Sequence, residues 1–148
     1  MQIQEDETMD DCIFCKIVKG DLPSFKVYED DRVFAFLDIN PVSEGHTLII
    51  PKAHAENLGE IAEEDLMAIH RVSQKMYHAM QTALGADGVA LVQANGKAVN
   101  QIVMHYHLHL IPRKNSEPRL DATSWELVPG DMEAIKATSE KIAAAVKP

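Results

Sequence analysis

The spacing of apolar residues changes several times along the chain, and each change predicts an element. Ile13, Phe14, Ile17 and Val18 give a short helical segment over residues 12–19, stopped by Gly20 and Pro23. Residues 26–29 and 32–37 are rich in Val, Phe and Tyr and are separated by Asp30-Asp31, the pattern of an antiparallel hairpin. A turn-forming stretch over residues 38–45 then leads to a third strand, 46–51, ended by proline. Over residues 63–84, Leu66, Ile69, Val72, Met76, Met80 and Ala83 recur at steps of three or four and predict a long amphipathic helix, with Gly85 as its stop. Residues 88–93 and 102–112 read as two further strands joined by the polar turn Asn95-Gly96-Lys97. A last helix is expected over 131–146, with Asp131 or Gly130 near its N-cap.

Strands gathered on either side of one long helix, with short links, predict an α+β fold. The expected sheet is five-stranded and mostly antiparallel, packed with the long central helix and a C-terminal helix. There is no repeat, low-complexity block or dividing linker, so residues 12–148 are read as one domain behind a flexible acidic tail, residues 1–11.

Composition narrows the function classes. The chain has 148 residues, 46% of them apolar and 25% charged, as in an ordinary globular domain. With 23 acids against 14 bases the net charge is -9, which disfavours an extended DNA or RNA footprint. Five of those acids (Glu5, Asp6, Glu7, Asp10 and Asp11) lie in the tail, leaving 18 against 14 elsewhere. No secretory signal pattern and no apolar run of the ~18 residues that span a bilayer is found, so a cytoplasmic protein without a membrane partner is expected. Glycine-rich phosphate loops are also absent, and a nucleotide would have to be held in another way.

The most informative stretch is Met104-His-Tyr-His-Leu-His-Leu-Ile-Pro112, in which His105, His107 and His109 alternate with apolar residues. On a strand, this period places the three imidazoles on one face and Tyr106, Leu108 and Leu110 on the other. A solvated strand face is normally filled by Lys, Glu and Thr, so three histidines call for chemistry, either metal ligation or phosphoryl transfer. Neutral imidazole is a good nucleophile near neutral pH, and its neighbours can donate hydrogen bonds to phosphate oxygens.

With these residues the chain resembles the histidine-triad (HIT) family. The likeness extends over Cys12-Ile-Phe-Cys-Lys-Ile, Phe36-Leu-Asp-Ile-Asn-Pro41, Gly45-His-Thr-Leu-Ile-Ile-Pro-Lys-Ala-His54 and His105-Tyr-His-Leu-His-Leu-Ile-Pro-Arg113. It implies a hydrolase acting at the α-phosphate of purine nucleoside 5′-monophosphate derivatives, such as phosphoramidates or adenylylated groups. His107 would be the nucleophile, forming a nucleotidyl-histidine. His109 would bond the phosphate, His46 would line the site, and His105 would orient His107. Asp38 would accept the ribose hydroxyls, and Phe14, Ile17, Phe36 and Ile39 would wall the base pocket. Asn95 and Gln101 would help bind phosphate and sugar. The resemblance also implies a homodimer and no catalytic metal. Cleavage of dinucleoside polyphosphates and non-catalytic nucleotide binding are the alternatives. One departure stands out, because Ile102 follows the glutamine where the family often has Ser or Thr.

Cys12 and Cys15 form a C-x-x-C pair that reads as a redox dithiol, a local disulfide or half of a metal site. No strand precedes Cys12, as a thioredoxin-like motif requires, and zinc needs two more ligands. His54 after the third strand and His105 at the start of the triad can both approach the N-terminal segment. Similar bacterial HIT proteins carry a cysteine pair and histidines at these positions as a structural zinc site. The resemblance thus implies one structural zinc per chain on Cys12, Cys15, His54 and His105. His70 and His78, on the central helix, are assigned no function. Trp125, within residues 114–130, is read either as a specificity determinant or as an anchor for the last helix.

Overall fold

The computed structural model describes residues 11–121 and 127–147. The predicted acidic tail, apart from Asp11, and Trp125 lie outside the described residues. Five strands, β1 (Lys26–Glu29), β2 (Val33–Leu37), β3 (Thr47–Pro51), β4 (Gly88–Val92) and β5 (Leu108–Arg113), form one sheet in the order β1-β2-β3-β5-β4. Every neighbouring pair is antiparallel. The helices are α1 (Ile13–Lys19), α2 (Glu63–Leu84) and α3 (Met132–Ala145), so the predicted α+β architecture is observed.

All residues of β2 and β3 are buried, because both faces of the sheet are covered. Val33, Ala35, Leu37, Ile49, Leu108 and Leu110 point into a large core with Ile69, Val72, Met76 and Met80 of α2. Phe34, Phe36, Leu48 and Ile50 form a second cluster on the opposite face with Cys12, Phe14 and Cys15 of the α1 segment. Each of the Val, Leu, Ile, Met and Phe side chains among them contributes about 1.5–3 kcal/mol on burial, which outweighs the weak propensity of the short α1.

The helix ends follow sequence chemistry. Gly85 takes the left-handed conformation (φ 64°) and closes α2 by donating its N–H to Gln81. Asp131 caps α3, its carboxylate accepting from the N–H groups of Glu133 and Ala134. Gly45 is needed for two reasons: its φ is 87°, and a Cβ there would lie 2.4 Å from Cδ1 of Leu84.

One predicted boundary is corrected. The strand expected over 102–112 begins only at Leu108, so His105 and His107 precede it and His109 alone lies within it. Continued beyond Ile49↔Leu108, the β3–β5 register would set Ile50 opposite His107 and Pro51 opposite Tyr106, and Pro51 has no N–H to give the ladder. The Pro51 carbonyl instead accepts from His105 Nε2 at 2.8 Å, and Tyr106 donates its N–H to Ala55 at 2.7 Å. Alternation of faces survives the lost pairing: Tyr106, Leu108 and Leu110 enter the α2 core. The rings of His105 and His107 meet Phe14 on the other side of the sheet.

Candidate active site and metal centre

Cys12 is the N-cap of α1 and Cys15 lies in its first turn, where the Cys15 N–H points at Cys12 Sγ, 3.4 Å away. This turn aims both sulfurs at two imidazoles that the chain brings from far away. Cys12 Sγ lies 3.3 Å from Nδ1 of His105, and Cys15 Sγ lies 3.3 Å from Nδ1 of His54 and 3.6 Å from Nδ1 of His105. The four ligand atoms all fall within 4.8 Å of one another. Tetrahedral zinc, with bonds of about 2.3 Å to sulfur and 2.0–2.1 Å to nitrogen, places S and N roughly 3.5 Å apart. The separations therefore suit zinc.

The protonation states suit it as well. A carbonyl can only accept, so His105 donates Nε2–H to Pro51 and turns its Nδ1 lone pair toward the sulfurs. Burial, and then the adjacent Cys12, push the Cys15 thiol up to about 12. A coordinated divalent cation reverses that penalty by holding the sulfurs as thiolates. Cys12, Cys15, His54 and His105 would hold a zinc ion in a closed, structural shell.

His107 and His109 continue the row of imidazoles beyond Phe14. The His107 ring centroid lies 5.2 Å from that of Phe14 and 4.9 Å from that of His109. His107 Nδ1 is 2.7 Å from the His105 carbonyl, so this nitrogen carries the proton and Nε2 keeps its lone pair. Burial holds the His107 pKa below the ordinary histidine value, which keeps the ring neutral.

His46, just before β3, is set by a different backbone group. The Val42 N–H donates to His46 Nδ1 at 3.1 Å, so the neutral ring carries its proton on Nε2. That Nε2–H faces His109 Nδ1 at 2.9 Å, and His109 in turn is protonated on Nε2. Burial, reinforced by the neighbouring His107, lowers His46 to about 4 and His109 to about 3, so both rings are neutral. Asp38 follows β2; its carboxylate accepts the Asn40 N–H at 2.8 Å and stands 3.7 Å from His46 Nε2. Burial raises the Asp38 pKa, opposed by the Asn40 N–H.

Asp38, His46 and His109 also bring three potential ligand atoms within 4.8 Å. They do not suit a metal. The ligating nitrogen of His46 would be Nε2, which the Val42 N–H obliges to carry the proton.

The remaining predicted site residues fall into two groups. Phe14 and Phe36 are buried with ring centroids 5.4 Å apart, and Ile17 packs against the same cluster. Ile39 is half exposed in the loop after Asp38. Asn95 and Gln101 fasten loops. Asn95 accepts the Leu58 N–H and exchanges side-chain bonds with Gln93. Gln101 is buried, donates to the carbonyls of Glu56 and Val103, and accepts the Gly96 N–H. Ile102 is 65% exposed. The carbonyls of Pro51 and His105 and the N–H of Val42, which fix three tautomers, are not visible in the sequence, because nearly every residue type presents both groups.

The family model of the HIT domain matches residues 19–116. This chain belongs to the HIT family. Among relatives of this HIT protein, an adenosine 5′-monophosphoramidase of Schizosaccharomyces pombe is 41% identical over 136 residues, covering 92% of this chain and 98% of the relative. An Arabidopsis thaliana adenylylsulfatase is 39% identical over 116 residues, 78% of this chain and 59% of that protein. The crystal structure of a zinc-bound histidine triad family protein from Mycobacterium smegmatis superposes with a TM-score of 0.80 at 35% identity, covering 94% of this chain and 95% of that one.

Proposed function

We propose that this HIT protein is a hydrolase that cleaves purine nucleoside 5′-monophosphate derivatives at the α-phosphorus, with phosphoramidate or adenylylated leaving groups. The observation that carries the reading is the His107 tautomer: with Nδ1–H fastened to the His105 carbonyl, Nε2 is the nucleophilic atom. Nε2 attacks the phosphorus, and the bond to the leaving group breaks with its electron pair. Water then displaces the imidazole and releases the nucleoside monophosphate. His109, held as an Nε2–H donor by His46, gives a hydrogen bond to the phosphoryl oxygens as charge builds on them. Asp38 receives the ribose hydroxyls, and Phe14, Phe36, Ile17 and Ile39 contact the base. Asn95 and Gln101 support the phosphate and sugar by setting the loops around them. The names of the monophosphoramidase and adenylylsulfatase relatives support this substrate class.

The Cys12, Cys15, His54 and His105 set is read as a structural zinc site. The chain is read as a cytoplasmic homodimer; no described helix is long and apolar enough to cross a membrane. In support of the dimer, β4 pairs on one side only and leaves Leu91 46% exposed. Light scattering on the wild type and Leu91→Arg checks the assembly. The activity is tested with His107→Ala, which is expected to stay folded and lose release of AMP from adenosine 5′-phosphoramidate. Full turnover by that variant would refute the assignment of the nucleophile.

A further inference from the structure

The segment that carries the nucleophile is held in an unusual way. His105, Tyr106 and His107 lie before β5, so no strand ladder fixes the carbonyl that His107 uses. The groups that hold this bend are the His105 imidazole and the Tyr106 N–H, bound to Pro51 and Ala55 on either side of the fellow ligand His54. The His105 imidazole also points Nδ1 at both cysteine sulfurs.

A second path runs through α1. Between Cys12 and Cys15, the Phe14 ring stands edge-on to both His105 and His107, at 5.8 and 5.2 Å. With only seven residues, α1 is too short to be stable alone, and the sulfurs of Cys12 and Cys15 add to the Phe14 contact in tying it to His105 and, through Cys15, to His54.

We infer that His105 couples the metal centre to catalysis, its imidazole anchored among the metal ligands while its backbone carbonyl sets the tautomer and aim of His107. His105 is thus a positioning residue, and metal occupancy governs the rate through it. The coupling is local. The cysteine ligands belong to the cluster on the α1 face, whereas the large core beneath α2 contains none of the four metal ligands. Losing the metal should loosen the His105–His107 bend and α1 while α2, α3 and the sheet persist.

This inference rests on His107 as nucleophile, and its test separates the two. Zinc is removed from the full-length protein by a chelator and, independently, by Cys15→Ser and His54→Ala, with metal analysis of each sample. Imidazole 15N spectra then read the His107 tautomer without substrate, and circular dichroism reads the helices. The expected result is retained helix, loss of the single Nδ1–H state of His107, and a fall in kcat of about 10–100-fold with KM little changed. Returning zinc should restore the chelated wild type. A zinc-free protein whose His107 keeps the Nδ1–H tautomer and full kcat would overturn the coupling. So would global unfolding on chelation and in both variants. If the zinc-loaded protein turns over no phosphoramidate, the proposed activity fails, while the tautomer measurement still decides the coupling.

Discussion

His46 Nε2 and His109 Nδ1 lie 2.9 Å apart, and the proton between them belongs to His46 because its other nitrogen accepts the Val42 N–H. Direction therefore runs outward from the backbone through two rings, leaving His109 as a donor at Nε2. His46→Ala removes the donor and leaves the His109 tautomer unspecified. A loss of about 10–100-fold in kcat is expected, as for other residues that orient a working side chain, with partial recovery in His46→Gln, whose amide can still donate. Steady-state kinetics on both variants, with a melting curve to confirm folding, checks this.

Metal content follows from the same proton assignments. Protein produced with ample zinc should hold about one equivalent per chain, the count for a single closed four-ligand shell. Cys12→Ser should abolish tight binding, whereas His109→Gln should leave it intact. Less than half an equivalent in the wild type, or zinc lost in the His109 variant, would contradict the assignment.

Stability should fall in mild acid. His46 and His109 titrate in the folded protein at about 4 and about 3, well below the ordinary histidine value. Between that value and the folded values the unfolded chain binds more protons, so stability decreases as pH drops through this window. Each buried ring contributes a slope of up to about 1.4 kcal/mol per pH unit. Asp38 acts in the opposite sense, since its raised pKa lets the folded form take up a proton first. Urea melts at pH 7, 6 and 5 should show a shallower slope for His109→Gln than for the wild type; equal slopes would exclude the buried ring as the cause.

Gly45→Ala and Gly20→Ala separate backbone strain from steric conflict. Both glycines have positive φ, but a Cβ at Gly20 meets nothing within 4 Å, whereas at Gly45 it would strike Leu84. A cost of about 1–2 kcal/mol is expected at Gly20, and about 1–3 kcal/mol more at Gly45. Only the Gly45 change, next to His46, should also lower kcat.

Much of this was readable from spacing. The α2 limits, the C-cap at Gly85 and the α3 cap at Asp131 follow from periodicity and local side-chain chemistry, and the structure places them as expected. The α1 segment and the two N-terminal hairpin strands were equally legible. The start of β5 was not, because alternating residues look the same whether or not their backbone finds a partner. The opposing strand carries Pro51, more than fifty residues away in the chain, which has no N–H to offer a ladder there. The gathering of Cys12, Cys15, His54 and His105 was anticipated from residue types and the family resemblance, but the tautomers were not, since backbone carbonyls and amides carry no sequence label.

The alternation of β5 between two buried faces has a consequence for how the site endures. In register, Leu110 enters the core beneath α2 while His109 stands opposite Leu48 on the other face. A slip of one residue would drive an imidazole into the aliphatic core and swing leucines into the row of histidines. The penalty against that slip is charged to the hydrophobic core and not to the reactive groups. Substitutions around the nucleotide can therefore alter chemistry without unsettling the alignment that makes chemistry possible.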